Sequence, residues 1–416
     1  MSRHPAFRTA LLHCTLSLAA FSLAVPVAAQ QPAPSGPPGM STMDRSNPAA
    51  SKQDPNLRPG RPIAPTVTPL EQLPVDKLRL PAGFKAEVWS WGHPGGRTMV
   101  MGPKGTVFMG TRGIGRVYAV VDNGGKREVK TIASGLTQPN GLAIKDGALY
   151  VLAINRVLRY DNIEDRLNDV GAPVDMTEAF GLPPEVHHNW KYAAFGPDGK
   201  LYIQVGSNCN ICETNPGIHG QIRRYNPDGT GMEIVARGVR NTVGFDWNPL
   251  TGELWFTDNG RDWAGNDGPQ DELNRIPKGM EGASFGFPYC HANGIPDPDV
   301  RRPNPCAGVI LPAALTGPHA AGLGIKWYTG GMFPKTYANV AFIARHGSWN
   351  REKKFGYDLI VARPTKDGKA KLEPFMTGLL DEGKNDYYGR PAYVFQMADG
   401  SLLVSDEQKD RKSTRL

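Results

Sequence analysis

One short unit, repeated along the chain, limits the possible folds more than any other feature of this sequence. The unit is a turn rich in Pro, Asp and Gly, followed by a strand-like run with an aromatic residue, as in Asp198-Gly199 before Leu201-Tyr202. Residues of these types are typical of tight turns and of β-strands. Six copies are present, and their turns begin at residues 102, 146, 198, 251, 339 and 399.

The spacing of these copies predicts an all-β fold, a six-bladed β-propeller over residues 81–408. The first four copies lie roughly 42 to 53 residues apart, which is the length of one four-stranded blade. Longer gaps before the last two copies indicate insertions in loops. Residues 84–91 read as a strand ahead of the first copy, and we expect this strand to pair with the last blade and close the ring.

The beginning of the chain differs in composition from the repeats. Residues 1–29 have a basic start, an apolar middle and small residues at the end, which is the layout of a secretory signal; an uncleaved membrane anchor is the alternative. We therefore expect a periplasmic or secreted protein with no stable membrane insertion after signal cleavage. Residues 30–80 are rich in Pro, Ser, Gln and Asn and are expected to form a disordered linker.

The charge of the chain gives no case for a nucleic-acid partner. The formal net charge is +7, but the leader and the basic residues 409–416 carry most of it, so the rest of the chain is close to neutral. A positively charged surface for binding phosphates is therefore not expected.

The cysteines fit an oxidising compartment. Apart from Cys14 in the leader there are four, Cys209, Cys212, Cys290 and Cys306, which is an even number. Local disulfides from Cys209 to Cys212 and from Cys290 to Cys306 are the first choice. A redox pair or half of a zinc site are the alternatives for Cys209 and Cys212, but the sequence offers neither a thioredoxin-like context nor a second Cys-x-x-Cys. An attached c-type haem is not expected, because no Cys-x-x-Cys-His occurs.

His188 is the candidate proton acceptor. It lies ahead of the short strand-like run Tyr192–Phe195, which a turn joins to the alternating strand Lys200–Val205. Imidazole titrates near neutral pH, so a histidine that faces an interior cavity can act as a general base. A structural histidine at a strand edge is the alternative interpretation.

The pattern His-Asn-x-x-x-x-x-Phe-Gly-Pro-Asp-Gly-x-Leu-Tyr, which begins at His188, resembles the block that holds the catalytic histidine of the soluble quinoprotein glucose/sorbosone dehydrogenases. The resemblance covers nearly all of residues 81–407 and is closer to the sorbosone dehydrogenase-like branch. It implies a six-bladed propeller that uses pyrroloquinoline quinone (PQQ) and calcium, oxidises a sugar and passes electrons to a diffusible quinone or cytochrome. Some members carry an aspartate that orients the histidine, where this chain has Ser207.

The same resemblance bears on the end of the chain. The family continues into a further strand after Glu407, whereas residues 408–416 are a short polar and basic run. We expect residues 409–416 to be an atypical tail that comes from a truncated or misread reading frame, and the last blade to be incomplete.

Arg240 and Asn241 precede an apolar strand at the fourth copy, as His188 does at the third. An arginine in such a loop can stabilise an anionic oxygen through several donors, and a surface arginine in a turn is the alternative. The resemblance implies that Arg240 and Asn241 lie against the quinone, with Arg240 holding the charge that develops on its oxygen.

An acidic, glycine-containing loop follows the strand Glu253–Thr257. Its oxygen atoms suit calcium, although its spacing does not match an EF-hand, and a solvated acidic loop is the alternative. The resemblance implies calcium ligands from the backbone carbonyls of Gly260 and Arg261, and quinone contacts from Asn259 and Asp271.

Four further cofactor contacts are implied by the resemblance. They are Asn140, His319, Arg345 and Arg390. The family has a second arginine two positions after Arg390, and Ala392 stands there instead, so cofactor binding is expected to be weaker or differently placed. Two functions compete with a dehydrogenase, a calcium-dependent lactonase of the gluconolactonase type and a non-catalytic binding propeller. The predicted basic residues favour the dehydrogenase, because they suit a tricarboxylate cofactor.

Overall fold

A computed structural model of the chain describes residues 67–407 and the backbone of Thr414 and Arg415. The predicted signal (1–29), the linker up to residue 66 and most of the predicted tail (409–416) lie outside the described residues. The described part is almost entirely β-structure.

The elements are as follows. In chain order the strands are β1 (Glu87–Val88), β2 (Gly96–Met101), β3 (Val107–Thr111), β4 (Val117–Asn123), β5 (Lys126–Ala133), β6 (Gly141–Lys145), β7 (Ala148–Leu152), β8 (Val157–Tyr160), β9 (Val174–Asp175), β10 (Ala193–Phe195), β11 (Leu201–Val205), β12 (Gln221–Tyr225), β13 (Glu233–Arg237), β14 (Gly244–Trp247), β15 (Leu254–Asp258), β16 (Gln270–Arg275), β17 (Cys290–His291), β18 (Ile295–Pro296), β19 (Ala314–Pro318), β20 (Gly322–Trp327), β21 (Ala341–Arg345), β22 (Asp358–Pro364), β23 (Ala370–Met376), β24 (Leu380–Asp381), β25 (Asp386–Tyr387), β26 (Pro391–Gln396), β27 (Leu402–Asp406) and β28 (Thr414–Arg415). Within the described residues the one α-helix is α1 (Thr177–Phe180), and 3-10 helices cover Leu70–Gln72, Pro74–Lys77, Ile163–Asp165 and Lys335–Tyr337.

The strands form antiparallel four-stranded sheets, and the predicted all-β propeller is confirmed. Five sheets each use one continuous segment of chain, in the orders β2-β3-β4-β5, β6-β7-β8-β9, β10-β11-β12-β13, β14-β15-β16-β19 and β20-β21-β22-β23. The prediction of six blades is not met, because these five sheets are the blades that the structure shows. A further four-stranded sheet, β1-β28-β27-β26, pairs strands from near the two ends of the domain, and its strands β1 and β28 are two residues long. The pairs β17-β18 and β24-β25 form two-stranded sheets. Residues 84–91 do pair with this last sheet, through β1.

The repeated turns lie at equivalent places in the sheets. Each of the six turns connects the first and second strands of one sheet, for example Asp146-Gly147 between β6 and β7. Asp146 and Gly147 both have positive φ, of 50° and 76°, which matches the twist of a two-residue hairpin and suits Asp and Gly. The recurring sequence signal is therefore the inner hairpin of each sheet.

The hydrophobic core lies between the faces of neighbouring sheets. Leu149 of β7 packs with Phe108 of β3, and Trp255 of β15 packs edge-on against Trp327 of β20 with ring centroids 5.4 Å apart. Buried apolar residues lie on both faces of these strands, because a sheet inside the ring packs against a neighbouring sheet on each side.

Part of the predicted linker is folded onto the domain. Leu73 and Pro74 are buried, and Arg79 forms an antiparallel bridge with Thr377. The predicted boundary at residue 81 is therefore too late, because the chain from Leu73 to Leu80 already packs against the sheets. No helix in the described ranges has the length and apolar character needed to span a membrane.

Candidate active site

Five of the predicted site residues, one at each of five sheets, lie in the loops that enter the first strands. Asn140 precedes β6, His188 precedes β10, Arg240 precedes β14, His319 precedes β20 and Arg390 precedes β26. Their positions along the chain are therefore equivalent, one per sheet.

The first strands themselves are close neighbours around the centre. The hydroxyls of Tyr192 and Tyr393 lie 2.6 Å apart, and a Cβ on Gly244 would lie 2.3 Å from the carbonyl oxygen of Leu323. Glycine is required at this position because the backbones of β14 and β20 approach so closely. The loops that precede these strands can thus meet.

His188 is buried, with 6% of its surface exposed. Its Nδ1 lies 2.8 Å from the hydroxyl of Ser207, and that hydroxyl donates to the carbonyl oxygen of Cys209 at 2.7 Å. Because the Ser207 proton is already used, Ser207 accepts a hydrogen bond from Nδ1–H, and Nε2 carries the free lone pair. Burial, followed by the charge of Arg240, holds the pKa of His188 well below its usual range, so the ring is neutral at pH 7.

The backbone of His188 is held as closely as its ring. His188 has a φ of 48°, and its carbonyl oxygen accepts a hydrogen bond from the side chain of Gln204 at 2.8 Å. A Cβ on Gly206 would lie 2.2 Å from that same oxygen. The backbone of His188 can therefore lie where it does only because residue 206 is glycine.

Arg240 is buried, and its guanidinium donates hydrogen bonds to the surrounding loops. Nε and one NH2 group donate to the main-chain and side-chain oxygens of Asn210, at 2.8 and 2.6 Å. The guanidinium also pairs with Asp262 at 2.9 Å and donates to the carbonyl oxygen of Gly260 at 2.6 Å. Arg240 and His188 are linked, since the Ser207 N–H donates to the Arg240 carbonyl at 2.9 Å.

Two buried carboxylates fix the loops around Arg240. Asp258 accepts from the backbone N–H groups of Arg240 and Asn241, and Asp271 accepts from those of Gly260 and Ala321. Burial raises the pKa of Asp258 to about 6 and that of Asp271 to about 7, against the opposing effect of these hydrogen bonds. Asp271, predicted as a cofactor contact, therefore orients backbone at the predicted calcium position.

His319 connects to the same network. Its Nε2 lies 2.8 Å from the carbonyl oxygen of Gly265, and its Nδ1 lies 3.2 Å from the amide of Asn350. That amide donates to Asp262 at 2.7 Å, and Asp262 pairs with Arg240. Burial lowers the pKa of His319. His319 and Arg240 are thus joined through two side chains.

The remaining predicted residues have defined partners. Asn140 donates to the carbonyl oxygens of Trp190 and Lys191, so it ties its own sheet to the segment that follows His188. Arg390 donates to the carbonyls of His346 and Gly347. Arg345 pairs with Asp358, and Arg261 is 1% exposed and directs its side chain to Asp297 and Asp299. The side chains of Arg345 and Arg261 are therefore engaged away from Arg240, although the carbonyl of Arg261 follows Gly260 directly.

Comparison with known proteins defines the family. The model of the TrAA12-like family matches residues 78–377, which is most of the folded domain. The chain belongs to the TrAA12-like family. The resemblance to soluble quinoprotein sugar dehydrogenases is thereby confirmed, and the chain is related to PQQ-dependent sugar dehydrogenases.

Individual relatives of this TrAA12-like protein span most of its length. It is 33% identical over 345 residues to an uncharacterized protein of Borreliella burgdorferi, covering 79% of this chain and 88% of the relative. It is 24% identical over 330 residues to a pyrroloquinoline quinone-dependent sugar dehydrogenase of Hypocrea jecorina, covering 65% and 75%. The calcium structure of the Trichoderma reesei member of carbohydrate-active enzyme family AA12 superposes with a TM-score of 0.68 at 20% identity, covering 81% of this chain and 96% of that one. This last likeness concerns the fold.

A second polar cluster of the TrAA12-like domain escaped the sequence analysis. Glu407 pairs with Arg97 at 2.6 Å and, more loosely, with Arg112 at 3.5 Å, and it lies 3.1 Å from Nε2 of His346. The Arg112 guanidinium lies 4.8 Å from the centre of the Trp190 ring, which is 6.2 Å from the His188 ring. This cluster brings an additional arginine beside the candidate base.

Sequence could have signalled only part of this cluster. Arg97 begins the first strand of its sheet much as Arg390 precedes β26, so the equivalent position was visible. Arg112 and Glu407 follow the ends of second strands, β3 and β27, and neither position belongs to one of the family motifs. Ala392, where the family has an arginine, packs with Val243 and Leu323 in a buried apolar cluster, and this packing leaves a cation no polar surroundings.

The residues of this TrAA12-like chain fit the groups that the family implies. Asn140, Asn241 and Asn259, three predicted cofactor contacts, each carry a buried amide oxygen without a hydrogen-bond partner, which is unusual for buried polar atoms. No set of three or more His, Cys, Asp or Glu side chains within residues 67–407 is arranged to hold a metal ion. Backbone carbonyl oxygens, such as those that the sequence analysis expects from Gly260 and Arg261, are ligands that suit calcium.

Proposed function

We propose that this chain is a PQQ- and calcium-dependent dehydrogenase that oxidises a sugar, either an aldose or a sorbosone-like hydroxyl or aldehyde. The observation that carries the proposal is the state of His188, a buried neutral imidazole whose Nδ1 is held by Ser207 and whose Nε2 is left as an acceptor. Family membership and the named activity of the Hypocrea jecorina relative support the choice of reaction.

His188 would accept the proton of the reacting hydroxyl at Nε2. Hydrogen bonding through Nδ1–H fixes the tautomer and lets the ring disperse the charge that it acquires. The low pKa of the buried ring keeps it unprotonated before the substrate arrives, although it also makes His188 a weaker base than a solvated imidazole. His187, whose ring centroid lies 4.0 Å away, is not assigned this role.

When bound, PQQ supplies a quinone carbonyl that accepts the hydride, and calcium polarises that carbonyl as a Lewis acid. Arg240 would lie beside the quinone oxygen, since its guanidinium already donates to the Gly260 carbonyl next to the predicted calcium position. Contacts from Asn241, Asn259, Asp271 and His319 would hold the cofactor in place.

Further cations near the site would recognise cofactor carboxylates. Arg390 and the previously unassigned Arg112 are the two candidates, with Arg345 and Asn140 predicted from sequence as additional contacts. Arg112 is 36% exposed at its side chain and rests on Trp190, and if it turns from Glu407 toward a ligand, Arg97 still pairs with that carboxylate. In this proposal Arg112 takes over from the arginine that Ala392 replaces.

We also propose export, a diffusible quinone or cytochrome as electron acceptor, and a ring in which the sheet of β1 and β26–β28 acts as the sixth blade. Two disulfides, Cys209–Cys212 and Cys290–Cys306, form in the structure as the sequence analysis preferred, and such bonds persist in oxidising compartments. Cell fractionation of the full-length chain would test export, and recovery of the protein in the cytoplasmic fraction would contradict it.

The activity is tested by adding PQQ and calcium to purified apoprotein and following dye reduction across a panel of sugars. Cofactor uptake is checked first by its absorbance on the protein. We expect sugar-dependent reduction that is abolished by chelation and restored by calcium. Cofactor taken up together with calcium but no reduction with any sugar would refute the dehydrogenase, and unchanged turnover after exhaustive chelation would remove calcium from the mechanism.

A further inference from the structure

The four-residue loop Cys209–Cys212, closed by its own disulfide, contacts Arg240 directly and is linked to His188 through Ser207. We propose that this loop is a positioning element, which sets the tautomer of His188 and the orientation of Arg240 together. The inference rests on the proposed function for the roles of those two residues, but it concerns contacts that can be tested without turnover.

The contact with His188 runs through Ser207. The Cys209 carbonyl takes the Ser207 hydroxyl proton at 2.7 Å, and this leaves the Ser207 oxygen as an acceptor for His188 Nδ1–H at 2.8 Å. If the Cys209 carbonyl moved away, the hydroxyl could rotate and donate to Nδ1 instead, and the proton of the ring would then reside on Nε2. A histidine in that tautomer cannot accept a substrate proton at Nε2.

The contact with Arg240 runs through Asn210, the next residue of the loop. Asn210 accepts two hydrogen bonds from Arg240, at 2.8 and 2.6 Å, and its side-chain oxygen also accepts from the Asp262 N–H at 2.8 Å. Asn210 is 1% exposed, so these bonds are made away from water. One short loop therefore supplies the partner of Arg240 and the carbonyl oxygen that orients Ser207, the partner of His188.

The disulfide is what fixes this loop. The segment Ser207–Glu213 has no regular secondary structure, so the bridge supplies the constraint that a strand ladder supplies elsewhere. Chain-entropy reasoning gives a bridge between residues three apart less weight in global stability than one between residues 16 apart, as in Cys290–Cys306. Loss of the shorter bridge is thus expected to affect the site more than the fold.

The test compares two cysteine pairs in the full chain. In the double variant Cys209→Ala/Cys212→Ala we expect turnover to fall about 100-fold, because one hydrogen bond to the base and two to a charged group are weakened, with little change in melting temperature. The control, Cys290→Ala/Cys306→Ala, is expected to lower the melting temperature more and turnover less. Single variants test the contact with His188 alone, since Ser207→Ala is expected to lower kcat about tenfold without changing PQQ affinity, and Ser207→Thr, which keeps the hydroxyl, is expected to restore it.

A readout independent of activity is the ring ¹⁵N spectrum of His188 in histidine-labelled protein, assigned by its loss in His188→Ala. We expect one tautomer, with the proton on Nδ1, in the wild type and in the 290/306 control. We expect a mixture in Ser207→Ala and in the 209/212 variant.

A single Nδ1–H tautomer in all four proteins, or equal loosening in both cysteine variants, would overturn the inference. A tautomer that changes as expected in a protein that reduces no dye with any sugar would leave the positioning element standing and refute the proposed function instead.

Discussion

Replacement of Glu407 by glutamine should destabilise the domain far more than replacement of an exposed partner in a similar ion pair. Glu407 and Arg97 have 2% and 3% of their side chains exposed and lie 310 residues apart, so their pair joins the beginning of β2 to the residue after β27. Burial alone would raise the pKa of Glu407, but the charges of Arg97 and Arg112 outweigh it and hold that pKa well below its usual range.

The magnitude follows from the charge left behind. Burial, partly offset by the charge of Glu407, lowers the pKa of Arg97 to about 10, so Arg97 stays charged at pH 7 and loses its counterion when Glu407 is neutralised. Breaking a buried pair on one side costs about 3 to 5 kcal/mol, because an uncompensated charge remains inside the protein. For a domain of this length that corresponds to a fall of about 4 to 7 °C in Tm.

The measurement is urea unfolding at pH 7, followed by tryptophan fluorescence, with Glu373→Gln as the matched control. Glu373 pairs with Arg363 at 2.8 Å but is half exposed, so its replacement should change the free energy of unfolding by about 1 kcal/mol or less. The contribution of Glu407 is complete above the ordinary glutamate pKa of about 4.3 and is lost as the pH falls through its lower folded pKa. Equal losses in the two variants at pH 7 would refute the reasoning.

Three further perturbations have defined outcomes. His188→Ala should keep the fold and PQQ binding while turnover falls about 10²-fold to 10⁴-fold, and His187→Ala should lose much less; equal losses would mean that the base is wrongly assigned. Gly206→Ala should impair turnover more than stability, since the new Cβ would lie 2.2 Å from the His188 carbonyl, whereas Gly331→Ala, with open space around it, should change neither. Burial lowers the pKa of His346 to about 3. Below about pH 6.5 the unfolded chain therefore binds a proton at this histidine that the folded chain does not bind, and the wild type loses stability as the pH falls. His346→Gln should lose less stability between pH 7 and pH 5 than the wild type, as measured by urea midpoints.

The fold could be predicted from the sequence to the extent that its signals are local. The turn at Asp146-Gly147 and the strand after it are encoded within a few residues, and the pairing of the two ends follows from the need to close a ring. The number of equivalent blades and the start of the domain depend on tertiary contacts. Burial of Leu73 and the bridge from Arg79 were not visible in a segment whose composition is that of a linker.

The candidate site could also be predicted only in part. The entry-loop positions of His188, Arg240 and Arg390 follow from the repeat, because every first strand begins at an equivalent point. Their partners do not. Glu407 reaches Arg97 only when the ring closes, and Ser207 replaces an aspartate as the partner of Nδ1 without any local signal of that role.

The sheet that contains β1 and β28 has a topological consequence. Since these strands are hydrogen-bonded neighbours, Glu87 and Arg415 lie about one strand spacing apart, roughly 4.8 Å. A peptide that joins Arg415 to the segment ahead of β1, and is long enough to leave Leu73 and Arg79 in place, would turn the domain into a continuous circle of chain. New ends could then be opened at the exposed Thr230-Gly231 segment between β12 and β13, away from the entry loops that carry the site. The order of blades along the gene is thus separable from their order around the ring.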